Sequence, residues 1–214
     1  DCSLNLKIQY WTNRGFAVVD INYRGSTGFG RKFRNSLYPN WGLFDLQDIE
    51  SAVRHVIDKG LVDPAKVAIR GGSAGGYSVM AALSKSSLFA AGVSYYGVSD
   101  LEVLTQGTHK FESRYLDQLI GPYPEARDVY LARSPIYNID KINSPLMLLQ
   151  GLEDKVVPSD QAEGIRKKLK QKGVDVRYIP FAGEGHGLRQ LQNQVLALDS
   201  ELSFYREVLK LGCT

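Results

Sequence analysis

The run Gly71-Gly72-Ser73-Ala74-Gly75-Gly76 stands between the apolar stretch Lys66-Val67-Ala68-Ile69-Arg70 and a second one, Tyr77 to Leu83. Gly-x-Ser-x-Gly between a strand and a helix is the sequence form of a nucleophile elbow. The serine of such an elbow sits on an abrupt strand-to-helix turn with strained dihedrals. Glycines two before and two after it let strand and helix approach without Cβ clashes. The same turn aims a backbone N–H, here that of Ala74, at an oxyanion site. The competing reading is that Ser73 is an ordinary helix N-cap in a Gly-rich loop.

The flanking chain alternates strand and helix. Leu4 to Trp11 reads as the end of a helix and Asn13-Arg14-Gly15 as a turn. Residues 16–22, 67–71, 89–97, 145–151 and 174–181 read as five strands, mostly continuous apolar runs that suit a sheet covered on both faces. Trp41-Gly42 introduces a helix with Leu46, Ile49, Val53 and Val56 inward. A helix over 160–172 turns Ala162, Ile165 and Leu169 inward, with Ser159 as its candidate cap and Gly173 as its stop. A last helix carries Leu191, Val195, Leu198, Leu202, Tyr205 and Leu209 on one stripe. Residues 98–143 are longer, more polar and aromatic, and read as an irregular helical excursion. The pattern predicts one α/β domain over residues 1–214, a mainly parallel sheet with helices on both faces. Function is then expected at the carboxyl ends of the strands.

Composition narrows the classes. With 43% hydrophobic and 23% charged residues and a net charge of only +3, the 214-residue chain reads as globular. Arg166-Lys167-Lys168 with Lys170 and Lys172 falls on a surface helix and reads as a solvated face rather than a nucleic-acid stripe. No apolar stretch reaches the ~18 residues of a membrane span, so no membrane partner is expected. No secretory signal is visible, and the expected location is cytoplasmic, with an organelle as the alternative if a targeting segment precedes Asp1. Cys2 and Cys213 lack zinc-ligand spacing and read as free thiols or a disulfide joining the ends. Asp45 and Asp48 have no histidine or third carboxylate in register, so no metal is expected, and no organic cofactor. The Gly-rich loop Tyr23 to Gly30 lacks both the phosphate-loop and the dinucleotide forms.

Three strand-end loops offer reactive groups in the order Ser73, Asp154, His186. Serine needs a base within hydrogen-bond reach, histidine is the suitable one near neutral pH, and a carboxylate on its other nitrogen fixes the tautomer. Ser…Asp…His is the chain order of α/β-hydrolases. His186 lies between Gly185 and Gly187, on a bare and mobile loop. His109 is the rival base; Glu153 and Glu184 are the rival acids. Arg24, Tyr77, Tyr96 and Val156 are candidates for the substrate pocket, with Arg24 alternatively pinning its own loop to an acidic neighbour. Asp100, His109, Glu112, Arg114, Tyr115 and Arg133 either line a pocket rim or serve as surface and hydrogen-bonded structural residues.

The stretches GFAVVDINYRGSTGFGRKFR, WGLFDLQDI, GLVDPAKVAIRGGSAGGY, GVSYYGVSDL, KFESRYLD, RSPI, GLEDKVVP and GEGHG run through nearly the whole chain. In them it resembles the catalytic domain of the prolyl oligopeptidase family of serine peptidases, in the style of the dipeptidyl and acylaminoacyl peptidase branch. The resemblance implies an α/β-hydrolase fold, with Ser73 as nucleophile, Asp154 as acid, His186 as base and the Ala74 N–H as oxyanion donor. Ala74 departs from the tyrosine many members carry after the serine. Such members also carry, before the stretch matching residue 1, a strand, a His-Gly-Gly-Pro-type loop that helps stabilise the oxyanion, and a β-propeller that screens large substrates. The first strands of the hydrolase sheet are therefore expected to be missing here, one of them from between residues 16–22 and 67–71. The expected function is a serine-type peptidase acting on short peptides, part of a larger protein and weakly active or inactive alone, with homo-oligomers open. The alternatives are an esterase-type hydrolase and an inactive hydrolase-fold fragment.

Overall fold

The computed structural model describes residues 4–107 and 114–212. Its strands are β1 (Ala68–Gly72), β2 (Ala91–Tyr95), β3 (Leu146–Gly151) and β4 (Val176–Phe181). They form one parallel sheet in the order β1-β2-β3-β4. The helices are α1 (Leu6–Thr12), α2 (Gly30–Asn35), α3 (Phe44–Asp58), α4 (Ala74–Lys85), α5 (Leu101–Gly107), α6 (Tyr115–Leu119), α7 (Arg127–Arg133), α8 (Ser159–Lys172) and α9 (Leu191–Val208). Cys2, Cys213, His109 and Glu112 lie outside the described residues.

The sheet is covered on both faces, as its apolar strands require. β3 reads Leu-Met-Leu-Leu-Gln-Gly and is buried at every position. Its alternate side chains divide between two cores. Leu146 and Leu148 pack with Tyr77, Val79, Met80, Ile165 and Leu169 of α4 and α8. Met147 and Leu149 pack with Trp11 of α1 and with Ala197, Leu202, Phe204 and Tyr205 of α9. Each fully buried leucine contributes about 2 kcal/mol of transfer free energy.

The described residues of the excursion at 98–143 include α5, α6 and α7 and are fastened into the first core. Tyr130, Leu116, Leu119, Ile120 and Ile142 are buried there. A polar clasp fixes its start. The backbone N–H groups of Ser99 and Asp100 donate to Gln161 Oε1 of α8 at 2.9 and 2.8 Å. Asp100 also caps α5 through Glu102 N and accepts from the Tyr137 hydroxyl at 2.9 Å. Arg133 donates to the carbonyls of Pro39 and Trp41. Asp100 and Arg133 are therefore structural residues; Arg114 and Tyr115 are exposed.

Three expectations need correction. Residues 16–22 form no strand: among the described residues no strand pairs with them to complete a ladder. Val18 and Val19 are left 40% and 45% exposed. Ser159 is the first residue of α8 and not its cap; Pro158 holds the cap position and offers no side-chain acceptor. The apolar stripe of α9 is buried only in its later part. Leu191 is 75% and Val195 49% exposed, and burial against the sheet begins at Ala197.

β1 ends the sheet and is tied to α9 by charge. Arg70 pairs with Glu201, at 2.7 Å from Nε and 3.0 Å from Nη2. The Tyr95 hydroxyl donates to the same carboxylate at 2.6 Å. Burial works to lower the Arg70 pKa, but the hydrogen bonds and charge of Glu201 outweigh it and raise it. The Glu201 side chain is fully buried while that of Arg70 is 40% exposed, so solvent screens one partner only. Arg70→Met, which keeps the stem and removes the charge, is expected to cost about 2 kcal/mol in urea unfolding, below the full cost of breaking a buried pair because of that exposure. A loss under about 0.5 kcal/mol would mean that the pair is no more than a surface bridge.

Candidate active site

The parallel register brings the carboxyl ends of the strands level, with Gly72 opposite Tyr95 and Gly151 opposite Phe181. The loops after β1, β3 and β4 therefore meet at one edge. They carry Ser73, Asp154 and His186.

Ser73 is the turn itself. It has φ 56° and ψ −118°, and α4 starts at the next residue. Left-handed φ in a residue with a Cβ costs about 1–3 kcal/mol, so the surroundings must impose it. Several contacts do so. The Ser73 N–H donates to Tyr95 O at 2.9 Å, and its carbonyl accepts from Tyr77 N at 3.0 Å. A Cβ on Gly71 would come within 2.5 Å of the Gly75 backbone, and one on Gly76 within 2.7 Å of Gly97 Cα and of Ser94 Oγ. The Ser94 hydroxyl donates to Gly76 O at 3.1 Å. The close approach is thus between bare backbones at Gly71, Gly76 and Gly97. Gly75, the second glycine of the motif, faces open space. Ala74, as first residue of α4, has an N–H with no acceptor inside the helix.

Asp154 is held by its own loop. Its Oδ1 accepts from the backbone N–H of Val156 and of Val157, both at 2.9 Å. Its Oδ2 lies 2.8 Å from His186 Nδ1 and 3.4 Å from Gln150 Nε2. The other imidazole nitrogen, Nε2, lies 2.8 Å from Ser73 Oγ. The Asp154 side chain is fully buried and that of His186 is 23% exposed. With Nδ1 protonated toward the carboxylate, Nε2 is left as acceptor for the serine hydroxyl.

Glu184 pins the His186 loop, which is therefore fastened at both ends rather than bare. Its carboxylate accepts from Arg189 N and Gln190 N, each at 2.9 Å, and from Asn193 Nδ2 at 2.8 Å, at the start of α9. Its backbone carbonyl accepts from Glu153 N at 2.9 Å. The N–H of Arg189, the Asn193 amide and the N–H of Gln190 together lower its pKa against a smaller effect of burial. The Glu184 carboxylate is thus engaged by residues 189, 190 and 193, His186 Nδ1 meets Asp154 instead, and Glu153 is exposed.

The pocket candidates separate. Arg24 is pinned, not free for substrate: its Nε and backbone N–H both donate to Asp48, and its guanidinium lies 4.0 Å from the Phe44 ring centre. Tyr77 belongs to the core, fully buried against Trp41 with its hydroxyl donating to Arg133 O. Tyr96 does reach the site, its ring centre 4.9 Å from that of His186. Val156 is exposed beside Asp154. Gln150, Ser94 and Gly97 escaped the sequence reading. Their signal was faint: a polar or minimal residue at the carboxyl end of an otherwise apolar strand. Among the described residues no group of three or more His, Cys, Asp or Glu side chains could hold a metal ion.

The family model for the prolyl oligopeptidase family matches residues 2–212. The chain belongs to the prolyl oligopeptidase family. It is 35% identical over 191 residues to dipeptidyl peptidase family member 6 of Caenorhabditis elegans, covering 86% of this chain and 26% of that protein. It is 30% identical over 201 residues to acylamino-acid-releasing enzyme 1 of Oryza sativa subsp. japonica, covering 89% of this chain and 26% of the relative. A solved puromycin-hydrolyzing peptidase of Mycobacterium tuberculosis superposes with a TM-score of 0.96 at 44% identity, over 98% of this chain and 32% of the other. The chain therefore spans about a quarter to a third of the length of these relatives. No helix among the described residues is long and apolar enough to cross a membrane.

Two outcomes follow from the geometry. Gly75→Ala is expected to leave urea-unfolding stability within about 1 kcal/mol of the parent, since helix interiors prefer alanine, whereas Gly71→Ala is expected to disrupt the elbow. Equal losses in both would show that the open space at Gly75 is wrong. Glu184, with its folded pKa lowered, stabilises fully above its unfolded value near ~4.3 and loses that contribution as pH falls through the folded value. The thermal midpoint of the parent should then drop more steeply than that of Glu184→Gln as pH falls below that value. Parallel curves would rule out this contribution.

Proposed function

We propose that the chain is the catalytic part of a serine peptidase of the dipeptidyl- or acylaminoacyl-peptidase kind. The observation that carries this reading is the continuous path Ser73 Oγ, His186 Nε2, His186 Nδ1, Asp154 Oδ2, with both gaps at 2.8 Å, on three strand-end loops of a prolyl oligopeptidase family fold. The names of the relatives support the substrate class: peptides, acylated amino acids and an aminoacyl amide such as puromycin, all of which present a carbonyl bonded to nitrogen.

In this reading His186 Nε2 takes the Ser73 proton as Oγ attacks the carbonyl carbon. Asp154 keeps the Nδ1 proton and steadies the imidazolium; it is not itself protonated. The oxyanion forms beside the α4 amino terminus, where the free N–H of Ala74 and the helix dipole favour negative charge. A single such donor is worth about 3 kcal/mol of transition-state stabilisation. The C–N bond then breaks and His186 returns the proton to the leaving amine. Water, deprotonated by His186, releases the acid and regenerates Ser73.

The test is a panel of dipeptidyl, N-acyl-aminoacyl and aminoacyl anilides, puromycin and short esters, with Ser73→Ala as the control. Amide substrates are expected to be cleaved, weakly by this chain alone, and the serine variant to fall to background. Turnover confined to esters would replace the peptidase by an esterase. Turnover that survives Ser73→Ala, or a folded parent whose Ser73 is inert to a fluorophosphonate, would overturn the reading.

A further inference from the structure

Resting on that reading, we infer that Tyr96 is a positioning residue for His186, the third contact that fixes the plane of the imidazole between Ser73 and Asp154. Two hydrogen bonds, at Nε2 and at Nδ1, fix two points of the ring. The side chain keeps two rotations, about Cα–Cβ and Cβ–Cγ, and those two hydrogen bonds oppose them. A rotation about Cβ–Cγ swings Nε2 and its lone pair away from the serine hydroxyl. A packing contact against the ring opposes that rotation independently of either hydrogen bond.

The Tyr96 ring supplies it, meeting the imidazole edge-on at 4.9 Å between centres and 63° between planes. Two independent features of the backbone are shaped around that contact. First, Tyr96 has φ 39°, and the other non-glycine residues with positive φ among those described are Ser73 and Lys210. A bulky aromatic side chain in this region is a marked outlier. It is held there by its N–H, which donates to Leu149 O at 2.7 Å, one residue after Tyr95 O accepts the Ser73 N–H. Second, the ring lies across Gly72. A Cβ at Gly72 would stand 3.0–3.1 Å from the Tyr96 hydroxyl, Cζ and Cε2. The elbow motif leaves the residue before its serine unspecified; here that residue has no side chain and the tyrosine ring takes the space. Tyr96 is thus braced on the strand that carries Ser73 and presses on the base that serves it. Within the described residues its hydroxyl makes no hydrogen bond, so the aromatic ring carries the effect.

The experiment measures the second-order rate of Ser73 labelling by a fluorophosphonate, together with the downfield proton resonance of the His186 Nδ1–H. Tyr96→Phe keeps the ring and should label within about 3-fold of the parent, with the resonance intact. Tyr96→Gly accepts the left-handed backbone but removes the ring; labelling should slow about 30-fold, in line with the cost of small misplacements of a catalytic group, and the resonance should broaden. Gly72→Ala, which pushes the ring from the other side, should slow labelling in the same direction without touching Tyr96, and stands in if the glycine variant fails to fold. A labelling rate and a resonance unchanged in Tyr96→Gly would overturn the inference, as would a Tyr96→Phe variant as slow as Tyr96→Gly. A parent that never labels, but whose His186 resonance broadens in Tyr96→Gly and not in Tyr96→Phe, keeps the positioning role while the peptidase reading fails.

Discussion

Everything at the edge that carries Ser73 depends on how closely β1 and α4 approach. With a Cβ on Gly71, the strand and helix backbones would overlap, and Ser73 could not hold φ 56°. The strain at Ser73 is a cost met by its neighbours. Tyr95 O takes its N–H, and Gly76 and Gly97 touch backbone to backbone. The end of β2 is therefore as much a part of the elbow as β1 is. A parallel sheet makes this possible, because it sets the ends of successive strands side by side without a turn between them.

The same economy of backbone contact joins the other two loops. A Cβ on Gly151 would run into the Glu184 and Gly185 carbonyls. Glu153 N donates to Glu184 O, and the Glu184 carboxylate anchors the loop to the start of α9. Asp154 and His186 are thus placed by main-chain hydrogen bonds before their side chains meet. A carboxylate so placed loses little entropy on binding the imidazole, and burial strengthens the pair relative to one in water.

Much of this was legible in the residues. Gly71, Ser73, Asp154 and His186 announced themselves because the chemistry admits few residue types and demands an order. β3 was legible because a strand buried on both faces has to be apolar. What stayed hidden depended on partners far away in the chain. Tyr77 looked like a pocket residue by its nearness to Ser73, but a helix carries successive side chains about 100° apart, and Tyr77 turns into the core. Glu184 looked like a spare acid, yet its task is set by three donors, two backbone N–H groups just before the next helix and the Asn193 amide in its first turn. Residues 16–22 have every local property of a strand. Local preference cannot supply a ladder, and with no neighbouring strand among the described residues the segment forms no strand.

That segment and β1 expose the asymmetry of the fold. On the β2 side, β1 is fixed by a full ladder and by the elbow. Among the described residues no strand pairs with its other edge, and the Arg70–Glu201 pair with the Tyr95 hydroxyl ties it to α9 on one face of the sheet. The pair joins β1 to α9, the helix whose amino end holds the His186 loop through Glu184. Ser73 and His186 are therefore connected twice: directly, by the 2.8 Å contact between them, and indirectly, through Arg70, Glu201 and α9. The second connection is the longer one, a chain of contacts that runs from β1 through Arg70, Glu201, α9 and Glu184.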